Sequence, residues 1–247
     1  MKPRRNIRLV LGFDGTPFHG WQIQLQQKTI QGELRDAIRR ITREDTVPLG
    51  SGRTDAGTHA RGFVANFTTG TRIPPSSFVR ALNSVLPPEI RVLSACEAPM
   101  AFHSRLSARS KIYRYQIYRG AVMPPHLARD HYHFPLPIDV KLIAQAAESF
   151  VGTHDFASFA AKGAGGENTV RHILSCRIMC KGHRLAFTVE GNGFLHHMVR
   201  NMMGTLLELG RGRMTMPEFN ALFRHRDRTL AGFTAPARGL TLLKVRY

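Results

Sequence analysis

The chain is short of acid. Only 17 of its 247 residues are Asp or Glu, against 35 Lys or Arg, and the formal net charge is +18. Apart from the adjacent Glu44 and Asp45 the carboxylates are scattered singly, so there is no cluster of the kind a metal-dependent nuclease uses to hold its cations, and no metal is expected. Lysine is scarce too: 28 of the 35 cations are Arg and 7 are Lys. Arg offers a planar fork of donors that matches phosphate and stacks on bases, so this bias points to nucleic acid. Residues 1–108 carry a net +7 and residues 109–247 a net +11, which makes the charge a property of a folded surface, not of a tail. There are three cysteines, an odd number without framework spacing. This excludes a disulfide scaffold and fits a reducing compartment, the cytoplasm. No apolar run approaches the length of a membrane span, and Met1-Lys2-Pro3-Arg4-Arg5-Asn6 is followed by no leader-like segment.

What is present alternates between strand and helix periods. Ile7, Leu9, Leu11 and Phe13 share one strand face, which Asp14-Gly15-Thr16-Pro17 ends. A helix is expected over 30–41 with Thr29 as its N-cap, and a second over 139–150 capped by Asp139. Further strands are expected at 63–67, 90–96, 111–118 and 241–245, with a short helix over 76–86. A hairpin is expected from 173–180 and 184–190 across Lys181-Gly182-His183. The longest helical run is 194–209, and 161–169 reads as a loop rich in small residues. Strand, Asp14-Gly15, Phe18 and helix is echoed by strand, Glu190-Gly191, Phe194 and helix. This echo suggests two related α+β halves, divided near the Pro/Ala/Ser-rich stretch at 98–110.

Three constellations could carry chemistry. The loop Gly50-Ser51-Gly52-Arg53-Thr54-Asp55-Ala56-Gly57 is polar and glycine-rich. It reads either as an Asx turn capped by Arg53 or as a placed carboxylate, Asp55, that a substrate can approach closely. Tyr113 and Tyr115 share a strand face, which is either a stacking platform for bases or a core surface. His172, Cys176, Cys180 and His183 lack zinc spacing, and strand alternation groups Cys176 and Cys180 with Ile178 as core. His196-His197 opens the long helical run, where neighbours face different directions, so paired ligation of a metal is not expected. Arg211, Arg213, Arg224, Arg226 and Arg228 are expected to meet phosphate.

At Gly52-Arg53-Thr54-Asp55-Ala56-Gly57-Thr58-His59-Ala60 the chain resembles the tRNA pseudouridine synthase A family. The resemblance continues in order through Phe18-His19-Gly20-Trp21-Gln22, Phe102-His103-Ser104-Arg105 with Lys111–Tyr115, and His154-Asp155-Phe156 with Phe159. It ends with Gly191–Asn201 and Ala235–Leu240, so it spans about residues 7–247. Thr58 and Ala237 depart from the commoner residues, and neither supplies chemistry.

The resemblance implies an α+β pseudouridine synthase fold: a mixed, mostly antiparallel sheet built from two related ferredoxin-like halves with a central basic cleft. Residues 1–108 would form the half with the Asp55 loop, and 109–247 the half with Tyr113 and Arg200. The implied reaction converts uridine to pseudouridine at positions 38, 39 and 40 in the anticodon arm of tRNA, without a cofactor. Asp55 would be the nucleophile and Arg200 its ionic partner. Arg53 would fill the space left by the flipped nucleotide or hold its backbone, Tyr113 would stack on the uracil, and Leu240 would close the far side. A homodimer is implied, with no membrane association. Rival readings are a catalytically silent RNA-binding module and a synthase acting at another RNA site. The silent module has no need of Asp55 and Arg200 together.

Overall fold

The computed structural model describes residues 4–161 and 168–247. Most of the loop expected at 161–169 lies outside them. The chain forms two compact units, Met1–Arg109 with Leu242–Tyr247, and Ser110–Thr241.

The first unit opens with β1 (Arg5–Phe13), α1 (Ile30–Thr42) and the two-residue β2 (Leu49–Gly50), and continues through β3 (His59–Thr69), α2 (Pro75–Asn83) and β4 (Ile90–Ala98). Both β4 and β2 run antiparallel to their neighbours, in the order β4-β1-β3 with β2 on the far edge of β3. A strand–helix–strand–strand–helix–strand chain with sheet order 4-1-3-2 is a ferredoxin-like unit, its second strand shrunk to two residues. The alternation read from the sequence is realised: Ile7, Leu9 and Leu11 are fully buried and Phe13 nearly so. They meet the apolar stripe of α1, where Ile30, Leu34 and Ile38 are buried. The Thr29 hydroxyl accepts from the Gly32 N–H at 3.3 Å and satisfies one of the amides a helix start leaves open. The opposite face of the sheet carries a buried amide pair. Asn66 donates to Asn6 at 3.0 Å and accepts from the Ser104 N–H at 2.9 Å, while Asn6 donates to the carbonyls of Pro99 and Phe102. The Phe102–Arg105 motif is therefore tied down as structure.

The second unit contains β5 (Ser110–Tyr118), β6 (Tyr132–His133), α3 (Val140–Glu148), β7 (Gly152–Asp155), β8 (Val170–Lys181) and β9 (Arg184–Gly191), followed by α4 (Met198–Gly210) and α5 (Met216–His225). Its strands run β5-β9-β8-β7, all antiparallel, with β6 parallel on β5. Taking β5, α3, β8, β9 and α4 in sequence reproduces the strand–helix–strand–strand–helix pattern, and β5-β9-β8 repeats the order β1-β3-β2. The halves are thus related, although not through the echo that suggested them. That echo aligned β1–α1 with β9–α4, whereas the topological counterpart of β1–α1 is β5–α3. The last strand, β10 (Leu240–Arg246), begins in the second unit and continues in the first. There Leu243 passes so close to β3 that a Cβ on Gly62 would lie 2.5 Å from its carbonyl oxygen.

Several expectations need correction. The helix expected from 194 begins at Met198, because His197 takes a left-handed backbone (φ 61°). With His197 outside the helix, the rings of His196 and His197 lie 3.9 Å apart, centre to centre. The Cys176–Ile178–Cys180 face of β8 is not core: Cys176 and Ile178 are half-buried and Cys180 is exposed. A bulge between Ile173 and Ser175 resets the register there, and beyond Ile173 no residue of β8 is buried. Helix α5 was not anticipated, although Thr215 and Glu218 form a capping box at its start.

The core of the second unit is an aromatic cluster. Phe150 lies 5.2 Å from Phe159, 5.4 Å from Phe219, 5.8 Å from Phe223 and 6.3 Å from Phe156, ring centre to ring centre. The His154-Asp155-Phe156 motif therefore feeds packing: Phe156 is fully buried, and Asp155 pairs with Arg226 at 2.7 Å. Phe150→Ala removes the shared ring and should destabilise the protein by about 3–5 kcal/mol. Thermal and denaturant melting would check this, and a loss below ~1 kcal/mol would show that the cluster collapses onto the gap.

Candidate active site

Of the five residues singled out in the sequence, Arg53 and Asp55 lie in the first unit, and Tyr113, Arg200 and Leu240 in the second.

Asp55 is half-buried and Arg53 is exposed. Their loop is fixed by main-chain contacts. The Thr58 N–H donates to the Asp55 carbonyl at 3.1 Å, closing a turn whose third residue, Gly57, has φ +78°. That backbone favours glycine and marks a type II turn. The segment Phe18–Trp21 lies against this loop, with Gly57 N–H donating to the Phe18 carbonyl at 3.3 Å and Trp21 N–H to the Thr54 carbonyl at 3.2 Å. Two glycines allow the approach. A Cβ on Gly20 would lie 2.3 Å from the Thr54 oxygen and 3.1 Å from the Asp55 carbonyl carbon, and Gly20 itself has φ +84°. A Cβ on Gly15 would lie 2.0 Å from the Thr58 oxygen. Behind the loop, Trp21 is 3% exposed and packs on Phe63 with ring centres 4.3 Å apart. Gly50 leaves room for that indole, since its Cβ would fall 2.5 Å from the ring. The sequence places Gly15 only in the turn that ends β1 and Gly20 only within the Phe18–Gln22 motif. Their signal was glycine in a segment that also holds Asp14, Thr16 and Pro17, which reads as turn chemistry alone.

In the second unit Tyr113 and Tyr115 are both buried. Tyr115 is core: it is fully buried, its hydroxyl donates to the Pro236 carbonyl at 2.6 Å, and burial pushes its phenol pKa well up. A Cβ on Gly239 would lie 2.7 Å from its ring. Tyr113, 9% exposed, sits edge-on to Phe194 with ring centres 5.1 Å apart. Gly191 makes way for Phe194, since a Cβ there would lie 3.1 Å from the Phe194 ring.

Arg200 is half-buried in the first turn of α4. No acidic residue stands in that turn and no side chain caps it. A cation at the positive end of a helix dipole opposes helix stability, and the local field there favours an anion. The guanidinium is aimed by its Nε donating to the Ala235 carbonyl at 2.7 Å, while the Ala235 N–H returns a bond to the Arg200 carbonyl at 3.2 Å. The strap Gly232–Ala235 reaches α4 only because of glycines. A Cβ on Gly204 would overlap the Phe233 oxygen at 1.7 Å, and one on Gly232 would lie 2.6 Å from the Thr205 Cα. Asn201, fully buried, locks the strap: it donates to the Phe159 carbonyl at 2.7 Å and accepts from Thr234 at 2.7 Å and Arg228 at 3.1 Å. Asn201 was quoted in the sequence only as part of a motif. Arg228 is therefore an internal tie, Arg226 an ion pair with Asp155, and Arg211 and Arg213 each lie 3.8 Å from the Glu208 carboxylate, so four of the five arginines expected to meet phosphate have a partner within the protein. Leu240, 6% exposed, follows the turn Ala237–Gly239.

The glycine contacts can be tested by stability alone. Gly20→Ala should cost at least ~1–2 kcal/mol from its left-handed backbone, before the clash with Thr54 is counted. Gly12→Ala, whose Cβ would meet Leu93 at 3.5 Å, is the comparison and should stay within about 0.5 kcal/mol. Melting of both variants, with hydrogen exchange at the Gly57 amide, measures the difference. Equal melting of the two would show that the loop does not depend on the approach.

Comparison with known proteins bears on the whole chain. Residues 10–106 and 146–247 match the family model described as tRNA pseudouridine synthase. A Caldicellulosiruptor saccharolyticus protein described as tRNA pseudouridine synthase A is 42% identical over 243 residues, covering 98% of this chain and 100% of that one. Proteins of the same description from Moorella thermoacetica (43% identical, covering 98% and 99%) and Clostridium kluyveri (42%, covering 98% and 100%) are similar over the same extent. Among solved structures, an archaeal box H/ACA sRNP Nop10–Cbf5 complex overlaps 82% of this chain and 44% of that chain at 13% identity and a TM-score of 0.37, too low to bear on the argument. The full-length identities and the family match place this chain in the tRNA pseudouridine synthase family.

Proposed function

We propose that this enzyme isomerises uridine to pseudouridine in the anticodon arm of tRNA, at positions 38, 39 and 40, with Asp55 as its nucleophile. The observation that carries the assignment is the half-buried carboxylate of Asp55 on a turn held by main-chain contacts, in a chain of this family. The reaction is redox-neutral. The bond from N1 to C1′ breaks, C5 bonds to C1′, the C5 proton leaves and N1 gains one. A carboxylate nucleophile must be ionised and oriented, and a nearby guanidinium does both. Arg200 supplies it: it is aimed by Ala235, and the first turn of α4 favours an anion. A stem uridine leaves its stack before reacting, so the base is flipped. Tyr113 stacks on the uracil and assists loss of the C5 proton, Leu240 closes the other side of the base, and exposed Arg53 holds the backbone or fills the vacated space.

The substrate's polyanion matches a chain of net +18. The resemblance further implies a homodimer. Val151 and Leu174, exposed where β7 adjoins β8, supply apolar surface that a second copy can cover. A cytoplasmic location accords with three free cysteines, two of them exposed.

Asp55→Asn keeps the shape of the side chain but not its charge or nucleophilicity, so pseudouridine formation should fall to background while tRNA binding persists. Single-turnover conversion of tRNA and filter binding on the same preparation read the two effects. Conversion near the wild-type rate would reduce Asp55 to a turn-forming residue.

Arg200→Lys should also impair conversion, since a point charge cannot take the Ala235 bond and orient a carboxylate with the geometry of a fork. Turnover equal to wild type would remove Arg200 from the site, and a lowered melting point would assign the loss to folding.

A further inference from the structure

Helix α1 turns two different faces outward and inward. Its inward stripe, Ile30, Leu34, Ala37, Ile38 and Thr42, is buried. At its C-terminal end the outward side chains Asp36, Arg39, Arg40 and Arg43 are exposed and line an open hollow of about 500 Å³. The carboxylates around this end are already engaged. Asp45 takes a two-bond clasp from Arg35 at 2.8 and 2.7 Å, and Glu44 accepts from the Gly70 N–H at 3.0 Å. Arg35 holds the Asp45 carboxyl below its ordinary range, and Arg39 adds a smaller Coulombic contribution. Among the described residues, Arg39, Arg40 and Arg43 form no ion pair, so three guanidinia share the hollow with Asp36 alone. Cations in a last helical turn do complement the helix dipole. That accounts for a basic residue here; it does not account for three around one concavity, the last of them, Arg43, beyond the helix in a left-handed backbone (φ 62°).

We propose that Arg39, Arg40 and Arg43 form an anion site for RNA backbone phosphate, a second anchoring point for the substrate away from the residues that handle the base. The inference rests on the tRNA reading above. The position of α1 gives it reach. The Ile30 N–H, at the helix start, donates to the carbonyl of Gly20, the glycine packed on the Asp55 loop. Arg40 stands ten residues further on, which at 1.5 Å per residue is about 15 Å along the axis. A phosphate bound there belongs to nucleotides other than the one whose base is at Asp55. The guanidinium fork takes a phosphodiester through two oxygens, and three such groups outweigh the single carboxylate of Asp36.

The test is the triple substitution R39A/R40A/R43A, with R39K/R40K/R43K as its charge-preserving partner, read by equilibrium binding of unmodified tRNA across salt concentrations. The Ala variant should bind tRNA at least tenfold more weakly near physiological salt. Its log–log salt slope should be shallower by about 2 to 3, because each lost phosphate contact removes roughly 0.9. The Lys variant should keep the wild-type slope, and kcat at saturating tRNA should be unchanged in both. Wild-type affinity and slope in the Ala variant overturn the site. So does a loss of affinity that the Lys variant shares in full, which would mark a packing effect. Wild-type protein that binds tRNA yet forms no pseudouridine would overturn the functional reading instead, and the salt slopes would still decide the phosphate site.

Discussion

Both candidate catalytic side chains sit where two backbones pass closer than a side chain would allow. In the first unit Gly15 and Gly20 let residues 15–20 lie against Thr54–Thr58; in the second, Gly204 and Gly232 let the strap before Ala235 lie against α4. Glycine is unfavourable in the middle of a helix, yet Gly204 stands there fully surrounded. What it permits is contact between the α4 backbone and the strap, and that contact fixes the carbonyl that aims Arg200. Position is set by hard contacts between main chains, which give little, instead of by flexible side chains. A site that must hold a nucleophile to fractions of an ångström gains from this, because small displacements cost large factors in rate.

The same arginine-rich composition serves three ends. Arg228 is half-buried, hydrogen-bonded to Asn201 and Thr234, and is part of the scaffold. Arg35 and Arg226 are spent on Asp45 and Asp155. Those that are exposed and outside such ties, on a protein of net +18, create the field that a polyanion meets first. Counting arginines therefore overstates the phosphate-binding surface, and only their local partners sort one class from another.

Elements with a strong period and a capping signal were legible in the sequence. β1 and α1 follow from Ile7–Phe13 alternation and from Thr29, and α3 from Asp139, whose carboxylate accepts from the Leu142 N–H at 3.0 Å. The start of α4 was not legible, since nothing in Phe194–His197 announces a left-handed residue; the apolar spacing simply runs on through it. The Cys176–Cys180 face was misread because alternation reports which residues share a face, not whether anything covers it. Likewise the sequence offered Tyr113 and Tyr115 as a pair. Tyr115 finds a carbonyl, from Pro236, which is 121 residues away and invisible to any local pattern. Asp55 and Arg53 were legible as a glycine-rich polar loop. The contacts that hold that loop are long-range and were not.

The shortage of acid gives the last point its force. Most carboxylates in this chain are committed to architecture. Asp139 and Asp227 cap helical turns, Glu218 closes a capping box, Glu44 holds the Gly70 amide, and Asp45, Asp155 and Glu97 pair with arginines. Exchanging any of these for its amide would remove a charge that local structure uses. Asp55 differs in how its neighbourhood is built. The turn at Asp55–Thr58, the Phe18–Gly57 bond and the Trp21–Thr54 bond all run through main-chain atoms, and the close approaches at Gly15 and Gly20 are to main-chain atoms as well. A loop held in that manner has much of its course set by the main chain. It therefore presents the Asp55 carboxylate on a framework built from main-chain contacts.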